Sequence, residues 1–362
     1  MYLENIDIEN FRGFAKLKLE NFKRVNLFLG QNNCGKTSLL EALFLVTGIS
    51  NPQLSLNINA FRDLPFLDEE DFRYIFHDLD YNVVPKLIAN FSEKELQRIL
   101  EIVPIFKEVI PTANELKKIN QDQLSSSAIN STDYGARVSG LTSKFSIKEK
   151  HKERKNYKSQ IYLQPGGLTI DQPRNYKETI NGVFLRSGVN ESSAIQRLEK
   201  IIQAKKQDSI VKILQEIDPR IQDIVVLSNS RIFFDIEEIN HLVPSNIMGD
   251  GIRRILSMVT TIWETSNGII FIDEIENGLH YSAHEKLWRA LLAASEEFNV
   301  QLFVTTHNIE TLERLRSVAL NQSLQGEIKS YSLKQLKNGS MRAYEYGFEE
   351  FAHAIQQEIE IR

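Results

Sequence analysis

Three alternating runs open the chain. Leu3, Ile6 and Ile8, then Leu17 and Leu19, then Val25, Leu27 and Leu29 repeat at the two-residue period of half-buried strands. The third run passes through a glycine-bearing stretch into Ser38–Val46, which is apolar over the length of a helix. Residues 51–71 are irregular. Leu96, Ile99, Leu100 and Val103 then fall at three-to-four spacing and predict a helix from about Ser92, with Ser92-x-x-Glu95 as a capping box. Pro104 and Pro111 interrupt the next stretch, and Gln121–Thr132 is polar and serine-rich, which predicts a loop. Two alternating runs, 145–147 and 161–163, predict a β-hairpin. Ile195, Leu198, Ile201 and Ile202, then Ile210, Ile213, Leu214 and Ile217, predict two helices parted at Gln207-Asp208 and stopped by Pro219. Ile224–Leu227 and Ile232–Ile236 read as strands. The last third alternates helix and strand: a helix over Ile255–Trp263, a strand over Gly268–Ile272, a helix over about Ser282–Glu297 and a strand from Phe303 to His307. No internal repeat appears.

Chemistry enters where the third strand meets the first helix. Gly30-Gln31-Asn32-Asn33-Cys34-Gly35-Lys36-Thr37 is a G-x-x-x-x-G-K-T phosphate loop in its strand–loop–helix setting. Its glycines let successive backbone N–H groups turn toward an anion, and the helix behind aims its positive end at the same place. Lys36 is placed to reach β/γ-phosphates, and the Thr37 hydroxyl to take a Mg²⁺ position. The apolar strand before Asp273-Glu274 puts two carboxylates at a buried strand tip. The first suits Mg²⁺ or its waters, the second an attacking water. Phe303-Val304-Thr305-Thr306-His307 follows about thirty residues later. With one helix between, this is a β-α-β unit, which sets His307 on the strand beside Asp273 and within reach of a γ-phosphate.

Together with Asn10-Phe11-Arg12-Gly13-Phe14 and the run Asp273-Glu274-Ile275-Glu276-Asn277-Gly278-Leu279-His280, these segments resemble the ABC-type ATPase heads of the SMC and OLD group, often called AAA-family ATP-binding proteins. The resemblance covers roughly residues 1–50 and 220–315. It implies an α/β phosphate-loop NTPase: a mixed sheet with an N-terminal antiparallel β-region and an inserted helical and β lid. It implies ATP with Mg²⁺, bound by Arg12, Gly30, Asn32, Asn33, Cys34, Gly35, Lys36, Thr37 and Ser38, with Thr37 and Asp273 on the metal. Glu274 takes the base position, with Lys36 and His307 as further catalytic positions and Gly278-Leu279-His280 as the D-loop. The signature that completes a partner's site matches Gly249-Asp250-Gly251. Met248 stands at the usual serine position, leaving Arg253 or Arg254 to supply charge. The expected assembly is a homodimer sandwiching two ATP molecules, reporting to a separate effector in a defence or repair setting. The alternative is a nucleotide-gated scaffold with little turnover.

The spacing implies how the chain divides. About 235 residues separate Lys36 from Asp273, more than a minimal phosphate-loop core needs. The expected parts are 1–50 and 219–320 for the ATPase head, 51–218 for the insertion and 321–362 for an extension. OLD-type nucleases carry a TOPRIM domain after the ATPase. About 55 residues follow His307, without Asp-x-Asp, so the expectation is an ATPase without its own effector. Asp78-x-Asp80 lies in an acidic stretch, Asp68–Asp80, expected to be solvated.

Composition narrows the partners. A net charge of −5 argues against a surface that is basic throughout, yet residues 144–158 hold six lysines and arginines besides Lys144 itself. That cluster is either a solvated, edge-protecting turn or a contact for nucleic-acid backbone or an acidic partner. The single cysteine, Cys34, forms no internal disulfide, which fits a cytoplasmic protein. No run approaches eighteen apolar residues and the first twenty are strand-like, so neither a membrane span nor a signal peptide is expected.

Overall fold

The computed structural model describes residues 2–107, 137–186, 191–227, 231–336 and 339–356. The loop expected over 121–132 lies outside the described residues. The strands are β1 (Leu3–Phe11), β2 (Phe14–Leu19), β3 (Val25–Leu29), β4 (Lys86–Phe91), β5 (Leu96–Lys107), β6 (Arg137–Lys148), β7 (Lys155–Gln164), β8 (Gly167–Asp171) and β9 (Gly182–Leu185). They continue with β10 (Ile221–Leu227), β11 (Arg231–Ile236), β12 (Val243–Pro244), β13 (Ile269–Ile272), β14 (Gln301–Thr305), β15 (Ile328–Gln335) and β16 (Met341–Tyr346).

The central sheet runs β16-β15-β3-β14-β13-β9, parallel except for β16. Its strands are covered on both sides, and each sends alternate residues to opposite cores. Val25, Leu27 and Leu29 of β3, Ile270 and Ile272 of β13, and Leu302 and Val304 of β14 enter one core. The helices Asp250–Glu264, His284–Glu297 and Ile309–Asn321 pack there. Phe28, Phe271 and Phe303 point the other way, with ring centroids 5.6–6.0 Å apart from strand to strand. They meet the Lys36–Thr47 helix and the second sheet.

That second sheet is antiparallel, β2-β1-β4-β5-β6-β7-β8. It joins the N-terminal strands to the segment that follows the phosphate-loop helix through the β1–β4 ladder. From the same segment, β9 crosses to the central sheet and pairs with β13. The expected hairpin is β6–β7, and the two expected helices are Glu191–Gln203 and Gln207–Gln215.

One expectation is overturned. Residues 96–107 form β5 and not a helix from Ser92; a short 3₁₀ turn, Glu93–Glu95, precedes the strand. Its inward positions are Leu96, Arg98, Leu100, Ile102 and Pro104, a strict two-residue repeat. The repeat is hard to see because one of the inward residues is an arginine. Arg98 is fully buried. Its Nη1 donates to the carbonyls of Val46 and Thr47, at the end of the phosphate-loop helix, at 3.1 and 2.9 Å. Its Nη2 bonds Glu178 Oε1 at 2.5 Å. Removing one partner of a buried pair strands the other, so Arg98→Met should cost about 3 kcal/mol. Urea unfolding should show a lower midpoint with an unchanged slope.

Candidate nucleotide site

The order β3-β14-β13 decides the site. The phosphate loop leaves the carboxyl end of β3, and Asp273 leaves that of β13. Between them stands Thr305, the last residue of β14. Thr305 Oγ1 donates to Asp273 Oδ1 at 2.6 Å and accepts from the Glu274 N–H at 2.8 Å. Thr37 Oγ1 lies 3.0 Å from Asp273 Oδ2, so the hydroxyl and carboxylate expected on the metal are in contact. Both are hard oxygen donors, the type Mg²⁺ takes, and the residues present fit that ion.

The loop needs its glycines. Gly35 has φ +87°, and a Cβ there would lie 2.9 Å from the Phe14 ring. Gly30 is positive too, and a Cβ would meet Cys34 Sγ at 2.5 Å. Lys36 is buried, its Nζ donating to the carbonyls of Gly30 and Gln31, each at 2.8 Å. Burial raises the Cys34 thiol's pKa, against the pull of Lys36.

These groups open onto a cleft of about 520 Å³ lined by Arg12, Asn32, Asn33, Lys36, Thr37, Ser38, Asp273 and Glu274. Asn277 Nδ2 bonds the Glu274 carboxylate, and Glu274 has φ +48°, an αL strain of the kind kept at functional sites. The structure thus brings together the phosphate loop, Arg12 and both acids. Gly249, Asp250 and Gly251 do not line this cleft, nor do Gly30, Cys34 and His307. Gly249 precedes the Asp250–Glu264 helix with φ +87°, and neighbouring Ile247 is 74 % exposed. Arg253 pairs with Asp250, while Arg254 is buried.

A profile for the family described as "AAA domain, putative AbiEii toxin, Type IV TA system" matches residues 25–313. The chain belongs to this family. The chain is similar to an "ATP/GTP phosphatase" of Helicobacter pylori, 26 % identical over 368 residues and 92 % of each chain. It also resembles the DNA replication and repair protein RecF of Listeria welshimeri, 50 % identical over 46 residues, 13 % of this chain and 12 % of that one. Among solved structures, the SMC head domain from Thermotoga maritima shares the fold, with TM-score 0.50 and 11 % identity, covering 96 % of this chain and 99 % of that one. The AAA domain is therefore an α/β phosphate-loop fold of SMC-head type.

Two parts of the AAA domain's cleft are not evident from the sequence. The first is a buried charge cluster. Glu41, wholly inaccessible, takes Arg12 Nε at 2.8 Å and Arg62 Nε at 2.7 Å. Arg62 Nη2 also donates to Ser38 Oγ at 2.8 Å. Burial works against both kinds of charge: it raises the Glu41 pKa against both arginines and lowers Arg12 to about 10. One local signal points to it: Glu41 is the one acid in an otherwise largely apolar helix.

The second part is the acidic stretch. Residues Glu69–Ile75 and His77–Leu79 form two 3₁₀ turns, anchored by buried Phe72, Ile75 and Phe76. Arg12 N–H donates to the Ile75 carbonyl, and His77 Nδ1 meets the Arg12 carbonyl at 2.7 Å. Tyr74, Phe76, Asp78 and Leu79 consequently form one wall of the cleft. Asp78 is solvated as expected, its side chain 84 % exposed, but at the cleft's rim.

The basic hairpin is divided. Lys150 pairs with Glu95 and Lys152 with Glu149, and Arg154 bonds Ser146 and Gln97, the behaviour of an edge-protecting turn. Lys144 and Lys158 instead face each other across β6–β7, where like charges repel. They border an open groove of about 880 Å³ with Lys86 and Tyr157. No helix among the described residues is long and apolar enough to cross a membrane.

Proposed function

We propose that the protein is a Mg²⁺-dependent ATPase that closes on a second copy of itself around ATP and signals to a separate effector. The observation that carries this is the Thr37–Asp273–Thr305 chain, which locks the metal side of the phosphate loop to the strand bearing Glu274. Lys36, Arg12 and the loop N–H groups bind the triphosphate. Thr37 and Asp273 would hold Mg²⁺, which would supply positive charge to the phosphates. Glu274 orients and deprotonates the attacking water. Similarity to the "ATP/GTP phosphatase" supports hydrolysis. The signature stretch sits away from its own cleft, as expected if it completes a partner's. A cytoplasmic setting and a role in defence or repair follow the resemblance. Phosphate release from purified protein with Mg·ATP tests the reading; absence of turnover with retained ATP binding supports the nucleotide-gated scaffold instead.

A second reading concerns the groove. Lys144 and Lys158, directly opposed across the ladder, favour a polyanion such as nucleic-acid backbone. Replacing Lys86, Lys144 and Lys158 by Ala should flatten the slope of log K against log salt by about 2–3 for duplex binding. An unchanged slope leaves a protein partner as the better occupant.

A further inference from the structure

One buried acid close to the cleft has no part in the hydrolysis just proposed. Glu276 lies three residues past Asp273, on the loop leaving β13, and is 7 % exposed. Its Oε1 accepts the His307 backbone N–H at 3.1 Å and lies 3.1 Å from His307 Nδ1. That second approach has the distance of an ion pair but not the angle of a hydrogen bond. Its Oε2 is buried with no partner among the described residues. A carboxylate in this condition carries a desolvation cost that a neutral residue would avoid.

Cationic and ionisable groups surround it from separate elements. Arg254 comes from the helix that begins at Asp250, and its Nη2 donates to the Ile275 carbonyl at 3.3 Å. Burial lowers its pKa while Glu276 opposes the shift. His284, from the His284–Glu297 helix, is likewise held down by burial and pulled up by Glu276. Its Nδ1 meets Thr311 Oγ1 at 3.1 Å. His307 differs from both: its side chain is 43 % exposed, with Nδ1 turned inward to the carboxylate.

We propose that Glu276 is a positioning residue for His307. By accepting the backbone N–H of His307 and lying 3.1 Å from its Nδ1, the carboxylate draws the ring proton to Nδ1 and so sets the ring's orientation and tautomer. Nε2 is thereby left as a hydrogen-bond acceptor for the attacking water. This follows the general rule that the partner at one ring nitrogen sets the role of the other. Arg254 donates to the neighbouring Ile275 carbonyl, so the helix behind the signature glycines reaches the loop that carries Glu276. The inference rests on the hydrolysis reading, to which it adds a role for His307.

A double-mutant cycle and a histidine spectrum test it. Glu276→Gln should lower kcat for ATP about tenfold with KM unchanged, and His307→Ala should lower it at least as far. The double variant should be no slower than His307→Ala, because one residue acts through the other. Multiplying effects would overturn the proposal, and so would a Glu276→Gln enzyme with wild-type kcat. Independently of turnover, ¹⁵N spectra of histidine-labelled full-length protein should show His307 with its proton on Nδ1, lost in Glu276→Gln. A ring protonated on Nε2 in the wild type would overturn the proposal. Absence of ATP hydrolysis in the wild type, with the Nδ1 signal present, would instead fault the hydrolysis reading and leave the pair standing.

Discussion

Glu274→Gln should bind ATP as tightly as the wild type and hydrolyse it about 10²–10⁴-fold more slowly, the loss typical of a general base. The position is prepared for that role. The backbone N–H is pinned to Thr305 Oγ1, and Asn277 holds the carboxylate. Glutamine keeps the shape and the contact with Asn277 in reach, but its amide cannot take a proton from water. With binding intact and hydrolysis blocked, ATP-bound dimers should accumulate, which gel filtration with Mg·ATP would resolve. Single-turnover phosphate release is the rate to measure. Unchanged turnover would remove Glu274 from the base role, and an unchanged elution volume would remove the main support for closure on a second copy.

Lys36→Ala should weaken Mg·ATP binding by about 10- to 150-fold. A charge-assisted contact is worth about 1.5–3 kcal/mol, and each 1.4 kcal/mol is tenfold in affinity. Two loop carbonyls hold the ammonium at 2.8 Å. It is thus stored beside the anion site, inside the curl that Gly30 and Gly35 permit. Alanine removes the charge without touching the glycines, so the loop's conformation should persist. Titration of a fluorescent ATP analogue, with far-UV circular dichroism as the control for folding, reads the effect. Equal affinity in folded variant and wild type would mean that the nucleotide binds elsewhere.

The central sheet was legible because its strands are buried on both faces and read as short apolar runs with chemistry at their ends. Phosphate loop, Asp273 and His307 each follow such a run, and the β-α-β spacing put the last two on neighbouring strands, as found. The second sheet was harder. β5 hid its repeat behind Arg98, whose burial is explained by carbonyls and a carboxylate from distant segments, which no local window contains. The Glu41 cluster failed for the same reason: its partners Arg12 and Arg62 come from either side of the helix. In the 68–80 stretch, acids outnumbered the three residues, Phe72, Ile75 and Phe76, that anchor it against the cleft. Thr305 was legible as a strand residue, and the sheet order sets it beside Asp273, where the two bond.

The dependence of the rate of phosphate release on protein concentration is the most direct test of a shared nucleotide site. A site completed by a second copy's signature residues can turn over only when two chains meet. At saturating Mg·ATP the specific activity should therefore rise with protein concentration and level off as the dimer fills. Specific activity independent of concentration, from a protein that sediments as a monomer with ATP present, would contradict the shared site, and no release at any concentration would contradict the ATPase itself.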